Sequence, residues 1–230
     1  MAEPAIKRAL LVVDMQEDFC PPNGSLQVPN GRSIIPLINR LLGSSKFALK
    51  IATKDWHPPS HVSFAANHPG RVPFSDSVTI TNPRNPLEKY TTTLWPVHCV
   101  QETPGAALVS ELDTSLLDKI IEKGTDPRVE MYSAFYDPFS PPHVSDSGLT
   151  QTLREAKITH VYVVGLAGDY CVRSTAADAH AQGFETVVID QGTKAVYPGD
   201  EWEKCKKDMA KEGVKVVSVD SQEVRVLFEQ

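Results

Sequence analysis

Residues 161–179 read Val161-Tyr-Val-Val-Gly165-Leu-Ala-Gly-Asp-Tyr-Cys171-Val-Arg-Ser-Thr-Ala-Ala-Asp-Ala179. An apolar run comes first, a glycine-rich turn follows, and the last residues are small, polar and compatible with a helix. This order predicts a buried strand, a turn and a helix, with the thiol of Cys171 at the helix N-terminus. The positive partial charge and free N–H groups at such a terminus favour a thiolate and can hold a developing oxyanion. The alternative interpretation of Cys171 is a small apolar residue that fills a gap between strand and helix.

Apolar runs of strand length alternate with segments of helical spacing along the rest of the chain. Ala9-Leu-Leu-Val-Val13 is a continuous apolar run, and 34–42 keeps helical spacing until Gly43. This alternation predicts an α/β fold, a mostly parallel β-sheet with helices on both faces. No repeat or linker divides the chain, so we expect a single domain over residues 1–230. The predicted strands are 9–13, 47–52, 119–122, 160–164, 186–190 and 214–219; the predicted helices are 34–42, 108–117, 149–156, a segment from Cys171 to Gly183, 202–210 and 221–228.

Two internal segments show no such periodicity. Residues 56–103 are rich in proline and histidine, and a loop of that length inside a domain is usually functional. Residues 136–148 are rich in proline and serine and are predicted to form a variable loop over the site.

Composition excludes several classes of protein. The chain has 230 residues, 41% of them apolar and 23% charged, which is typical of a globular protein that needs no disulfide or structural metal. A net charge of −6 argues against nucleic-acid and anionic-membrane partners, and no apolar run is long enough to span a bilayer. The four scattered cysteines and the lack of a secretory signal predict reduced thiols and a cytoplasmic protein. Nuclear or peroxisomal localisation and a homo-oligomer are left open.

Chemically capable residues follow four of the predicted strands: Asp14, Asp55, Lys123 and Cys171. Each alone has a structural explanation, such as a helix-capping carboxylate or a solvated lysine. Because the carboxyl ends of parallel strands meet at one edge of a sheet, their coincidence predicts a catalytic site there.

A second group of residues has the character of a metal site. Asp55 and His57 are two apart on an extended segment and therefore point the same way. With His98 they would give three nitrogen and oxygen ligands and leave coordination positions open, as in catalytic sites. Zn, Mn, Fe and Ni all suit such ligands. The alternative is that both histidines are ordinary loop residues.

Together these segments resemble the nicotinamidase family of the isochorismatase-like cysteine hydrolases, which have a Rossmann-like three-layer fold. The resemblance covers nearly the whole chain in order. It rests on five motifs: Leu11-Val-Val-Asp14-Met-Gln16-Glu-Asp18-Phe19, Lys54-Asp55-Trp-His57, Leu94-Trp-Pro-Val-His98-Cys99-Val, Tyr132-Ser-Ala-Phe135 and Gly165-Leu-Ala-Gly-Asp-Tyr-Cys171-Val.

The resemblance implies a role for each matched position. It makes Asp14 the general base, Lys123 the catalytic lysine and Cys171 the nucleophile. The N–H groups of Ala167 and Cys171 would form the oxyanion hole, next to a cis peptide at Leu166–Ala167. Asp55, His57 and His98 would hold one divalent metal ion, Zn²⁺ in the first place with Mn, Fe or Ni as alternatives, and Phe19, Trp95 and Tyr132 would stack on the substrate ring.

The activity that the resemblance implies is hydrolysis of nicotinamide to nicotinate and ammonia through a cysteine thioester, serving NAD salvage. Analogues such as pyrazinamide are implied as further substrates. One alternative is another amidase on the same scaffold, acting on a carbamoyl amide or a related substrate. A second alternative is a non-catalytic α/β binding protein, although no GxGxxG phosphate loop follows the first strand.

Overall fold

Strands and helices alternate along the computed structural model, which describes residues 5–229. The continuous apolar runs form strands of the central sheet, and most segments of helical spacing form helices that pack against it. The strands are β1 (Arg8–Val13), β2 (Phe47–Asp55), β3 (Ser77–Asn82), β4 (Asn85–Thr93), β5 (Lys119–Lys123), β6 (His160–Leu166), β7 (Glu185–Lys194) and β8 (Lys215–Val217); the helices are α1 (Ile35–Leu42), α2 (Leu149–Glu155), α3 (Arg173–Ala181), α4 (Asp200–Lys211) and α5 (Gln222–Arg225).

Six strands form one sheet in the order β5-β2-β1-β6-β7-β8, and every pair in it is parallel. Leu11 in β1 lies between Ile51 of β2 and Val163 of β6. From β1 the chain builds the sheet outward through β2 and β5, and it then returns to the other side of β1 with β6. The strand order therefore reverses next to β1, and ligands of parallel sheets bind outside the carboxyl ends of the strands at such a point.

The core consists of two layers, one on each face of the sheet. Alternate residues of β1 point to opposite faces, so Leu10 and Val12 belong to one layer while Leu11 and Val13 belong to the other. The first layer includes α1 and α5, and the second includes α2, α3 and α4. This arrangement confirms the predicted fold class, a parallel sheet covered by helices on both faces.

Two sequence predictions about local structure are wrong. Residues 108–117 form no α-helix, only a single 3₁₀ turn at Thr114–Leu116. Their backbone pairs elsewhere: the N–H of Val109 donates to the carbonyl of Met15, and Glu17 donates to Ala107. The supposed loop 56–103 contains the antiparallel hairpin of β3 and β4.

Residues 136–148 pack against the hairpin of β3 and β4 and not over the cavity that Cys171 lines. Glu88 of β4 accepts hydrogen bonds from the backbone and hydroxyl of Ser140, and Phe139 contacts the ring of Tyr90 at 4.8 Å between centroids. None of the described residues that line the cavity comes from this segment. The prediction that residues 136–148 form a loop over the site is therefore wrong about where the loop lies.

Met1–Pro4 and Gln230 lie outside the described residues, so the domain extent of 1–230 stays a prediction. Within residues 5–229 the structure has no helix with the length and apolar character required to cross a membrane.

Candidate active site

The carboxyl ends of three strands bring Asp14, Lys123 and Cys171 together. Asp14 directly follows β1, Lys123 is the last residue of β5, and Cys171 lies in the helical turn after β6. The Nζ atom of Lys123 is 3.0 Å from Oδ2 of Asp14 and 3.6 Å from Sγ of Cys171. It also forms an ion pair with Asp55 at the end of β2. All four residues are buried. The ammonium group of Lys123 therefore contacts two carboxylates and a thiol out of reach of solvent.

Asp14 is held in place by its neighbour Thr53 on β2. The hydroxyl of Thr53 donates to Oδ1 of Asp14 at 2.5 Å, and the backbone N–H of Asp14 donates to the same hydroxyl at 3.2 Å. Burial raises the pKa of Asp14 from 3.8 to about 6, although the charge of Lys123 opposes the rise. A carboxylate with this pKa is ionised at neutral pH but accepts a proton readily, as a general base requires.

The thiol of Cys171 differs from the sequence-based expectation of a thiolate. Burial raises the pKa of Cys171 well above its ordinary value, and the positive charge of Lys123 offsets this only in part. The resting group is therefore a neutral thiol. The reason is that the thiol is buried beside the carboxylates of Asp14 and Asp55, which disfavour a third negative charge.

Lys123 keeps its charge for the opposite reason. Burial alone lowers the pKa of a lysine, but Asp14, Asp55 and Cys171 raise the pKa of Lys123 well above its usual value. The same ammonium group, with help from His57, outweighs burial at Asp55 and holds the pKa of that carboxyl below its ordinary range. Asp55 thus stays ionised, whereas the neighbouring Asp14 can gain and lose a proton near neutral pH.

Asp55, His57 and His98 form a compact, buried cluster. One ligand atom from each lies within 4.8 Å of the other two. Nδ1 of His57 pairs with the carbonyl of Gly124 at 2.8 Å, and Nδ1 of His98 pairs with the carbonyl of Pro96 at 2.7 Å. When these nitrogens donate, each Nε2 is left with a lone pair, as metal-binding histidines require. Nε2 of His57 is buried and has no hydrogen-bond partner among the described residues. The donor set therefore fits a divalent metal ion.

Sequence reasoning gave no role to His61, yet its ring packs beside that of His57, with 4.1 Å between centroids and the planes tilted by 33°. Nδ1 of His61 pairs with the hydroxyl of Ser63 at 2.9 Å, and Nε2 pairs with the carbonyl of Val129 at 3.1 Å. Both ring nitrogens are thus engaged away from the cluster, and His61 packs against a ligand candidate without joining it.

Gln16 is a second residue whose role sequence reasoning missed, although it lies within a quoted motif. Its amide donates to the carbonyl of Asp55 at 2.8 Å, and its side-chain oxygen accepts the N–H of Asp55 at 2.8 Å. The same amide donates to the carbonyl of Ala106 at 3.0 Å. Gln16 is fully buried and fixes the backbone from which the Asp55 carboxylate projects.

An aromatic-walled cavity opens next to these groups. Its free volume is about 30 Å³, so the side chains that line it are closely spaced. The three predicted ring-stacking residues all line it, together with Cys171, Asp55 and His98. The remaining lining residues are Leu26, Val28, Ala167, Tyr170 and Val196.

The aromatic wall is fixed by hydrogen bonds from outside the cavity. The hydroxyl of Tyr132 pairs with Oγ1 of Thr92 on β4 at 2.7 Å and accepts the indole N–H of Trp95 at 2.9 Å. Tyr170 meets the Trp95 ring edge-on at 4.9 Å between centroids. Opposite the tryptophan, Phe19 contacts the imidazole of His98 at 5.5 Å.

Cys171 lies in a single π-helical turn, Gly168–Val172, that continues into α3. The peptide bond Leu166–Ala167 is cis, as the resemblance implies. The carbonyl of Ala167 accepts the N–H groups of Tyr170 and Val172. Ala167 and Cys171 therefore reach the cavity from the two ends of one tight turn.

Comparisons with known proteins cover most of the chain. The isochorismatase domain matches residues 8–221. A nicotinamidase of Acinetobacter baylyi is 40% identical over 210 residues, which cover 91% of this chain and 92% of that protein.

Solved structures of related proteins share the fold. The yeast nicotinamidase bound to the inhibitor nicotinaldehyde superposes with a TM-score of 0.85 at 34% identity, covering 92% of this chain and 99% of that one. The pyrazinamidase of Pyrococcus horikoshii in complex with zinc gives a TM-score of 0.69 at 36% identity, with 92% and 99% of the two chains covered. The chain therefore belongs to the isochorismatase family, among its nicotinamidases.

Proposed function

We propose that this chain hydrolyses nicotinamide to nicotinate and ammonia and so serves NAD salvage. The observation that carries the proposal is the convergence of a thiol, a base and a buried ammonium group beside a cavity with aromatic walls. Cys171, Asp55 and His98 line that cavity. Lys123 contacts Cys171 and Asp55, and Asp14 contacts Lys123. The relatives named nicotinamidase and pyrazinamidase give the substrate class, a carboxamide on a six-membered aromatic ring.

Cys171 is the proposed nucleophile and Asp14 its base. As sulfur attacks the carboxamide carbon, the thiol proton passes to Asp14, whose raised pKa suits it to receive and return a proton. When the C–N bond breaks, Asp14 returns that proton to the leaving ammonia. A water molecule then attacks the thioester, and Asp14 takes its proton. When the C–S bond breaks, Asp14 returns that proton to sulfur and restores the thiol, and the nicotinic acid that is released ionises to nicotinate.

Lys123 is proposed to stabilise the charges that move during these steps. Its Nζ atom is within 3.6 Å of Sγ of Cys171 and 3.0 Å of Asp14. It can therefore stabilise sulfur as negative charge develops there, while Asp55 keeps the lysine protonated. The N–H groups of Ala167 and Cys171 are proposed to hold the oxyanion, an interaction worth on the order of 3–4 kcal/mol in comparable hydrolases.

Asp55, His57 and His98 are proposed to hold one divalent metal ion, Zn²⁺ in the first place. The orphaned Nε2 of His57 and the nitrogen–oxygen donor set support this, and Mn, Fe and Ni suit the same donors. When bound, the ion supplies a Lewis-acidic anchor for the pyridine nitrogen. Phe19, Trp95 and Tyr132 are proposed to sandwich the ring, so that the carboxamide is presented to Cys171. Positioning of this kind can remove several kcal/mol from the barrier.

Ammonia release from nicotinamide tests the proposal. Purified wild-type protein should release ammonia, and Cys171→Ala should lose activity by roughly 10⁴-fold or more. Cys205→Ala is the matched control, because Cys205 is a buried cysteine on α4 outside the cavity. A chelator-stripped sample should also lose activity and regain it with Zn²⁺.

Pyrazinamide is the proposed second substrate, because it differs from nicotinamide by one ring nitrogen. Metal-replete wild type that releases no ammonia from either compound would overturn the proposed activity. The same sample assayed on carbamoyl amides would then test the alternative of another amidase on this scaffold.

A further inference from the structure

Asp169 is a carboxylate in the Gly168–Val172 turn to which the proposed mechanism gives no role. It stands two residues before Cys171, is half-buried, and does not line the ligand cavity. Its two oxygens accept hydrogen bonds from successive backbone groups on another segment. Oδ1 accepts the N–H of Val196 at 2.9 Å, and Oδ2 accepts the N–H of Tyr197 at 2.9 Å.

The segment held in this way forms part of the cavity wall. Residues 195–198 lie between the end of β7 and the start of α4 and contain no helix or strand of their own. Val196 lines the cavity with Leu26 and Val28, and Tyr197 contacts Tyr170 at 6.5 Å between ring centroids. Hydrogen bonds to a carboxylate are stronger than those between neutral groups. Asp169 therefore restrains the position of residues 195–198 in the cavity wall.

We propose that Asp169 is a positioning residue that sets the spacing between Cys171 and the Val196 wall. The same short turn carries the attacking sulfur and the carboxylate that holds the Val196 segment of the wall, so the two are coupled through two residues of backbone. A ring seated against Val196 is thereby kept at a fixed distance from the sulfur. Asp169 thus governs the KM and the tolerance for ring substituents of the activity proposed above, on which this inference rests.

Asp169→Asn tests the assignment with little change in shape. The amide has one oxygen in place of two, so at least one of the Val196 and Tyr197 N–H groups loses its acceptor. We expect KM for nicotinamide to rise by about tenfold, because an imperfectly held wall must be ordered on binding. We expect kcat to stay within about threefold, since the thiol, Asp14 and Lys123 do not contact this carboxylate. Discrimination against 5-methylnicotinamide should decrease, and Asp169→Glu, which keeps the carboxylate, should restore part of it.

Asp137→Asn is the matched control. The Asp137 carboxylate also accepts two backbone N–H groups, from Phe139 and Ser145, but in a loop that contributes nothing to the cavity lining. It should leave KM and substrate discrimination unchanged even if it lowers the melting temperature. A loss confined to kcat in Asp169→Asn, or an equal change in both variants, would overturn the positioning role.

Amide hydrogen exchange separates this inference from the proposed function, because it needs no substrate. Residues 195–198 should exchange faster in Asp169→Asn than in wild type and should be unaffected in Asp137→Asn. Unchanged exchange there contradicts the role of Asp169 whatever the substrate is. Wild-type protein that is inactive on nicotinamide while this exchange difference is present contradicts only the proposed function.

Discussion

Lys123 is the residue on which the electrostatics of the site depend. It is almost fully buried, and its ammonium group contacts Asp14, Asp55 and Cys171. Removing one partner from a buried charge pair typically costs about 3–5 kcal/mol, because the remaining charge is left without compensation. Here the loss of Lys123 would leave two buried carboxylates side by side. The position therefore combines a structural requirement with its proposed catalytic role, and the family resemblance implied only the latter.

The proposed base predicts a particular pH dependence. The pKa of Asp14 is raised from 3.8 to about 6, first of all by burial. A base must be ionised to act, so kcat/KM should be half its maximum near pH 6, approach its full value about one pH unit higher, and fall about tenfold per pH unit well below the midpoint. An unperturbed aspartate would place the fall near pH 4. The pH–rate profile of wild type between pH 4.5 and 8 measures the midpoint.

Thr53→Val sharpens this test. The hydrogen bond from Thr53 lowers the pKa of Asp14, so removing the hydroxyl while keeping the shape should move the midpoint to higher pH. A profile that is the same in wild type and Thr53→Val, or a wild-type midpoint near 4, would contradict the assignment of Asp14 as the titrating base.

The position of Gly124 beside His57 leads to a second prediction about a single residue. Its φ is +66°, and a Cβ added there would collide with the imidazole of His57, whose Nδ1 also pairs with the Gly124 carbonyl. Gly124→Ala should displace His57 and reduce the metal content of the purified protein. Elemental analysis after dialysis measures this content.

Gly70→Ala is the control for Gly124→Ala. Gly70 has a similar φ of +75°, but a Cβ there meets nothing within 4 Å. The Gly70→Ala variant has the same backbone strain without the collision, so the protein should keep its metal. Equal metal loss in both variants would show that backbone strain, and not His57, is responsible.

At the scale of elements, the hairpin of β3 and β4 is tied to the cavity wall by the Tyr132 hydroxyl. That hydroxyl pairs with Thr92 of β4 and accepts the indole N–H of Trp95. Tyr132→Phe should leave the indole N–H without an acceptor, at a cost of about 1–3 kcal/mol. Because both rings line the cavity, part of this cost should appear as a higher KM for nicotinamide.

Tyr162→Phe is the matched variant. Tyr162 is a buried tyrosine on β6 whose hydroxyl donates to the carbonyl of Glu223, away from the cavity. It should lower the melting temperature without changing KM. If Tyr132→Phe behaves in the same way, the hydroxyl is a stabilising contact only and does not order the wall.

Element prediction from the sequence succeeded where burial produces a strong local pattern. β1 and β6 are continuous apolar runs because both of their faces are covered, and α1 has a clear apolar stripe. The hairpin was missed because β3 and β4 are mostly exposed and polar, with Pro83 and Pro86 close to the turn. The helix expected at 108–117 fails because long-range partners such as Met15 take its backbone hydrogen bonds.

The site was more predictable than the elements around it. Asp14, Asp55, Lys123 and Cys171 all follow parallel strands, so topology alone brings them to one edge of the sheet. Their state of charge was not predictable, because the raised pKa of Cys171 arises from burial among carboxylates that are distant in sequence. Gln16, Thr53 and His61 were missed for the same reason, since their partners become neighbours only in the folded chain.

At the scale of the whole molecule, the proposed metal ion couples function to stability. Its candidate ligands lie at the end of β2 and in the two loop segments that follow it, and all three are buried. An ion that binds only the folded state stabilises it by about 2.7 kcal/mol at a free concentration of 100 Kd. For a domain of this size that corresponds to a rise in melting temperature of roughly 5–10 °C. Thermal unfolding of chelator-stripped protein with and without added Zn²⁺ measures the shift.

Two histidine variants decide whether the shift comes from this cluster. His57→Ala should remove most of it, because that variant loses a candidate ligand whose buried Nε2 has no hydrogen-bond partner among the described residues and faces the Asp55 carboxylate at 3.6 Å. His160→Ala should keep the full shift, because His160 is the first residue of β6 and lies at the opposite end of the strand from the site. A shift that survives in His57→Ala would mean that Zn²⁺ stabilises the fold from another position. The stability gain and the proposed activity would then be independent properties of the molecule.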